Sequence, residues 1–194
     1  MSEQSTSILP GGFGMAEPAE PEPKRRPLGW TAGTDLGLLV LRFAVGGVFF
    51  AHGAQKIFGL WGGPGPEGFT QRLAGFGYSN AATLAWATGI GEMVLGAFVV
   101  LGILTPFAAA GLLAIKVNAV LLKAGNGFFI ASLAGADAVE FDVVLGLAAA
   151  CLVFTGPGRV ALDSGPWHRR PAWGVLALLI GVVVALVVYF GMRS

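Results

Sequence analysis

The chain has 194 residues, 55% of them hydrophobic and 12% charged, with a net charge of +1 and a mean hydropathy of +0.73. Soluble domains carry about 25% charged residues, so the composition is that of a membrane protein. It excludes a separate soluble catalytic domain and offers no basic block for nucleic acid.

Residues 1–34 are rich in Pro, Gly, Ser and Glu, without apolar periodicity, and read as a disordered tail. Lys24, Arg25 and Arg26 end it just before the first apolar run, which marks that side as cytoplasmic. The first span follows, Leu36 to Phe58, and it organises the rest of the chain. A span needs about 20 apolar residues, yet this one holds Arg42, His52 and Lys56. At about 100° per residue, Arg42 and Lys56 project within about 40° of each other, and His52 lies about 80° from Arg42. Gly46 and Gly53 share that side. Ionisable groups at membrane depth normally face other helices or a wet cavity, so partner helices should bring carboxylates to this face. The run starts late, is long and contains Arg42, which sets it apart from a signal peptide.

Leu60 to Asn80 is a glycine-, proline- and aromatic-rich loop with a short amphipathic helix expected near Gly68 to Phe76. Its Trp61, Phe69, Phe76 and Tyr78 suit a membrane interface. The second span runs from Ala81 to Leu104 and carries Glu92, with Thr88, Gly89 and Gly96 on the Glu92 side. Thr105-Pro106 makes a turn, and the third span, Pro106 to Leu122, carries Lys116 and Asn118 and ends at Lys123. Ala124 to Ala138 is a second loop on the side of the first. The fourth span, from Val139 to Thr155, opens with Glu140 and Asp142 and is short for a full crossing. Gly156-Pro157-Gly158 breaks it. A fifth span, Ala172 to Met192, has no charge in its apolar stretch and reads as the most lipid-facing. Cys151, the one cysteine, excludes an internal disulfide and reads as an inert packing residue of the fourth span.

Counting Lys and Arg near the spans favours an amino terminus inside. Lys24, Arg25, Arg26, Arg159, Arg169 and Arg170 then lie in the cytoplasm, against Lys56, Arg72, Lys123 and Arg193 outside. The expected architecture is an all-α integral membrane protein. A four-helix domain over residues 35–163 follows the tail, and a linker and fifth transmembrane helix occupy 164–194.

Depth along each helix places Glu92 and Lys116 near the midplane, with Arg42 within guanidinium reach. Glu92 is therefore expected to pair with Arg42, Lys116 or both. A second group near the outer boundary comprises His52, Lys56, Lys123, Glu140 and Asp142. Glu140 and Asp142 are about 200° apart on a helix, so only one can turn inward. Residues Arg42, His52, Lys56, Glu92, Lys116, Asn118 and Glu140 together form the candidate buried polar cluster or ligand site. The competing reading makes them structural ion pairs. Haem ligation by two span histidines and structural zinc have no residues to support them, and no metal site or intrinsic cofactor is expected.

Four segments resemble the DoxX family of small bacterial membrane proteins: LRFAVGGVFFAHGAQKIFG, EMVLGAFVVLGILTPFAA, VEFDVVL and GPGRVALD, between Leu36 and Asp163. The resemblance implies a four-helix core and puts His52, Lys56, Glu92 and Glu140 at the family's polar positions, which makes Glu140 the inward carboxylate. It also implies a membrane subunit of a redox or oxidative-stress system. Its ligand would be a quinone or sulfur compound, and without a cysteine pair the chain would need a redox partner protein or a bound quinone. A small-molecule or lipid transporter, or a scaffold with internally paired charges, would use the same residues.

Overall fold

The computed structural model describes residues 31–129, 138–163, 165 and 171–193. Residues 1–30 of the expected tail, most of the second loop, and the stretch holding His168, Arg169 and Arg170 lie outside the described residues, whereas Thr31 to Thr34, expected as tail, cap and open the first helix. Six α-helices occur among those described: α1 (Ala32–Phe58), α2 (Gly65–Gly75), α3 (Ala81–Leu101), α4 (Thr105–Lys123), α5 (Glu140–Thr155) and α6 (Pro171–Gly191).

Local chemistry sets the helix ends. The Thr31 side chain accepts from the Thr34 N–H, and Asp35 stands in the first turn of α1, where the helix dipole favours negative charge. Gly59 closes α1 in a left-handed conformation. Gly102 does the same for α3, and Pro106 sits in the first turn of α4. The amphipathic helix of the first loop forms three residues earlier than expected, starting beside Pro66.

Helices α1, α3, α4 and α5 form a closed ring in that order, with α6 packed outside against α4 and α5. Phe49, Val99, Leu112, Ala149 and Leu152 are fully buried at its centre. A second core lies where residues 59–80 cover one end of the bundle, hereafter the distal end. There Leu73, Tyr78, Ala81, Leu84 and Ala85 pack together, against Val188 and Met192 of the α6 end. Tyr78, expected at the interface, is thus 4% exposed. Trp61, in contrast, is 71% exposed.

Among the described residues four helices are long and apolar enough to cross a membrane: α1, α3, α4 and α6. The expected fourth span, α5, has 16 residues, about 24 Å of helix, and falls short of the roughly 30 Å hydrocarbon core. The five-span expectation therefore holds for four helices, the C-terminal one included. Helix α6 has the largest share of lipid-facing surface among the four candidate spans, with 22% of its apolar window buried. Cys151, expected as a packing residue, is exposed on α5.

The register between α1 and α3 is fixed by glycine. A Cβ on Gly46 would stand 2.5 Å from the Gly96 carbonyl oxygen, and one on Gly53 would stand 2.5 Å from that of Gly89. Each helix carries two glycines seven residues apart, and the antiparallel helices mate through them, backbone against backbone. This contact slides α1 towards the proximal end: Arg42 lies beside Val99 and Val100, so residues 32–41 run on past the end of α3.

Candidate functional site

The slide separates the charges into two systems. At the proximal end, the Arg42 side chain is buried and donates only to backbone carbonyls. Its Nε donates to Val99 O at 2.9 Å, and Nη2 to Val100 O. Its Nη1 donates to Pro157 O at 3.0 Å and to Val160 O. The guanidinium thus caps the C-terminal end of α3, whose last carbonyls lack helical partners. The same group holds the turn after α5. That turn is tied in further by Leu162 N–H to Leu101 O, Asp163 N–H to Gly102 O, and Arg159 N–H to the Asp35 carboxylate. The expected Arg42–Glu92 pair does not form.

Glu92 pairs instead with Lys56, 14 residues and about four turns nearer the distal end than Arg42. The register explains this: from Glu92 to Val99 is about 10 Å of helix rise, and Arg42 is spent on nearer acceptors. Glu92 is 1% exposed and the Lys56 side chain 17%. The Lys56 ammonium also stands 5.2 Å from the centre of the Phe69 ring on α2.

The other carboxylate is Asp142, not Glu140. Asp142 Oδ1 accepts from Lys116 Nζ at 2.9 Å, while Oδ2 pairs with Lys123. Lys116 further lies 5.1 Å from the Phe49 ring centre. Asp142 is in phase with the buried face of α5, which continues through Leu145, Gly146, Ala149, Leu152 and Val153. Glu140 is out of phase with that face. Its side chain is part-exposed and, among the described residues, enters no ion pair, while its backbone N–H donates to Phe128 O. The inward role expected of Glu140 passes to Asp142.

His52 joins the two lysine–carboxylate systems. Its ring meets Phe141 of α5, the neighbour of Asp142, edge-on at 5.7 Å, and it stands four residues before Lys56 on the same face of α1. Asn118 belongs to neither system. It faces α6, where Nδ2 donates to Ala114 O at 3.1 Å and Ala185 O at 3.2 Å. The structure therefore brings together His52, Lys56, Glu92 and Lys116 from the expected set, and adds Asp142 and Lys123. It leaves Arg42, Asn118 and Glu140 outside. Chemically, the cluster sets three ammonium groups and an imidazole against two carboxylates. It can donate hydrogen bonds, hold negative charge and exchange protons. Among the described residues no group of His, Cys, Asp and Glu could hold a metal ion.

Comparison with known proteins agrees with a membrane bundle. The DoxX family model matches residues 37–125, which contain Arg42, His52, Lys56, Glu92, Lys116 and Lys123 but not α5. The chain is 32% identical over 149 residues to the uncharacterized membrane protein Rv3486 of Mycobacterium tuberculosis, an alignment covering 71% of this chain and 85% of that protein. No solved structure matches it. With a family match over three of the four ring helices and a relative aligned across most of both lengths, this chain is a member of the DoxX family of membrane proteins.

Proposed function

We propose that this chain is a ligand-binding membrane subunit of a redox or oxidative-stress system, its site being the polar cluster between α1, α3, α4 and α5. The observation that carries the reading is the cluster's composition. A helix lock needs one balanced ion pair, whereas this ring gathers three lysines, a histidine and two carboxylates at one end. Such groupings of ionisable side chains mark functional sites more often than structural ones. A quinone carbonyl or the oxygens of a sulfur compound would find donors in Lys56, Lys123 and His52, with Glu92 and Asp142 as fixed counter-charges. The chain has no cysteine pair, so electrons would come from a redox partner protein or a bound quinone.

The test is the inventory of small molecules retained by the chain after mild extraction into lipid nanodiscs, read by mass spectrometry. A quinone or sulfur compound kept by the native chain and released by His52→Gln, with the helical fold intact, supports the reading. A scaffold role draws support from the Arg42 cage and from the pairing of both buried carboxylates. It prevails if Lys56→Met and Glu92→Gln lower thermal stability while every variant retains the same molecules.

A further inference from the structure

From the charge balance of the cluster we infer that its ligand carries a phosphate-type oxyanion, either a free phosphate or the headgroup of an anionic lipid. The inference rests on the reading that the cluster binds a ligand, and sets an oxyanion in place of the quinone or sulfur compound at that site. Lys56 is matched by Glu92, and Lys116 and Lys123 share the single carboxylate of Asp142. Among the described residues the cluster thus holds one positive charge in excess. Glu140, two residues before Asp142, makes no ion pair among the described residues. Excess charge flanked by apolar helices draws a counter-ion more strongly than it would in water, because the local dielectric is low.

Exposure tells which groups would touch the anion. Glu92, Lys116 and Asp142 are at most 7% exposed, whereas Lys56 and Lys123 are 17% and 22% exposed. Lys116 is held between Asp142 and the Phe49 ring and stays part of the frame. Lys56 and Lys123 each keep N–H groups beyond those used on Glu92 and Asp142, and His52 shares a helix face with Lys56 four residues on, its ring edge-on to Phe141 beside Asp142. Two ammonium groups and an imidazole are a common complement for a phosphate group, since each oxygen accepts a charge-assisted hydrogen bond. Both lysines stand in the last turns of their helices at the distal end.

The experiment uses the full chain in phosphatidylcholine nanodiscs, titrated with inorganic phosphate and followed by tryptophan fluorescence and calorimetry. In parallel, nanodiscs containing phosphatidylglycerol are analysed by native mass spectrometry for retained lipid. A third series is titrated with a neutral short-chain benzoquinone. Saturable phosphate binding identifies the free anion, and retained phosphatidylglycerol identifies the lipid. Either is expected to weaken at least tenfold in Lys123→Gln and in His52→Gln, but not in Arg72→Gln, which removes an exposed charge of the same sign from α2. Equal weakening in Lys123→Gln and Arg72→Gln overturns the inference, because attraction is then general. Benzoquinone binding without anion binding also overturns it and leaves the ligand site standing. Binding of none of the three overturns the inference as well.

Discussion

Replacing Arg42 by Met tests the proximal lock. The substitution keeps apolar volume but removes four hydrogen bonds, to Val99 O, Val100 O, Pro157 O and Val160 O. Val99 O retains the Gly102 N–H at 3.2 Å, so three of the four carbonyls are left without a donor. An orphaned buried acceptor costs about 1–3 kcal/mol. The contacts to Val100 and Val160 are only part-buried, so water recovers some of that. Removing the charge also relieves its own desolvation. The net loss is about 3 kcal/mol, a fall in midpoint of about 6–12 °C for a chain of this size. Arg42→Lys keeps the charge, but its single ammonium cannot fork to four carbonyls, and it should recover about half. Thermal unfolding in nanodiscs gives the midpoint, and hydrogen exchange across residues 156–163 should quicken in step. A midpoint for Arg42→Met within about 2 °C of the native chain, less than 1 kcal/mol, would refute the claim that this guanidinium holds the turn.

Other outcomes follow from the same geometry. Gly46→Ala and Gly96→Ala force a methyl onto facing backbone at 2.5 and 2.7 Å and should each destabilise by about 1–3 kcal/mol. The control Gly47→Ala, with open space around it, should be neutral or stabilising by about 0.5–1 kcal/mol, both read from thermal midpoints. Asp142→Asn leaves Lys116 and Lys123 facing each other and should lose about 3–5 kcal/mol, whereas Lys116→Met leaves Asp142 paired with Lys123 and should lose less. The reverse order in denaturation would mean that Lys116 is the anchor of that triad. Glu140→Gln should stay within about 0.5 kcal/mol of the native chain. Arg42 and Lys123 belong to different ends, so the stability changes of Arg42→Met and Lys123→Gln should add to within about 0.5 kcal/mol in the double variant.

Most of the helix plan was legible because it depends on length and punctuation. Gly59, Gly102 and the Gly156-Pro157-Gly158 turn stop helices for reasons local to the backbone, and the spans between them follow from apolar run length. Helix α5 was legible as short for the same reason. The burial of Tyr78 was not. An aromatic in a glycine-rich loop reads as an interface anchor until the α6 end is known to close over it, through Ser79 N–H to Met192 O and Arg193 to Phe76 O. That contact joins residues more than a hundred positions apart, and no local pattern carries it.

The two site errors have different physical origins. Choosing Glu140 over Asp142 set aside a signal already present. Asp142, Leu145, Gly146, Ala149, Leu152 and Val153 recur at helical spacing, and a carboxylate in phase with a small-residue face is the one that meets the neighbouring helix. Pairing Arg42 with Glu92 failed because depth was counted from helix ends, as if all spans began in one plane. Gly46 and Gly53 on α1, with Gly89 and Gly96 on α3, share a spacing of seven, and mating those pairs antiparallel sets Lys56 beside Glu92. The same register delivers Arg42 to a helix terminus, where exposed carbonyl dipoles serve a guanidinium as well as a carboxylate would and bring no second desolvated charge. Arg42 thereby leaves the distal cluster without consuming a carboxylate. Among the described residues Lys56, Lys116 and Lys123 face Glu92 and Asp142, and the surplus charge counted there is a consequence of where two pairs of glycines let the helices touch.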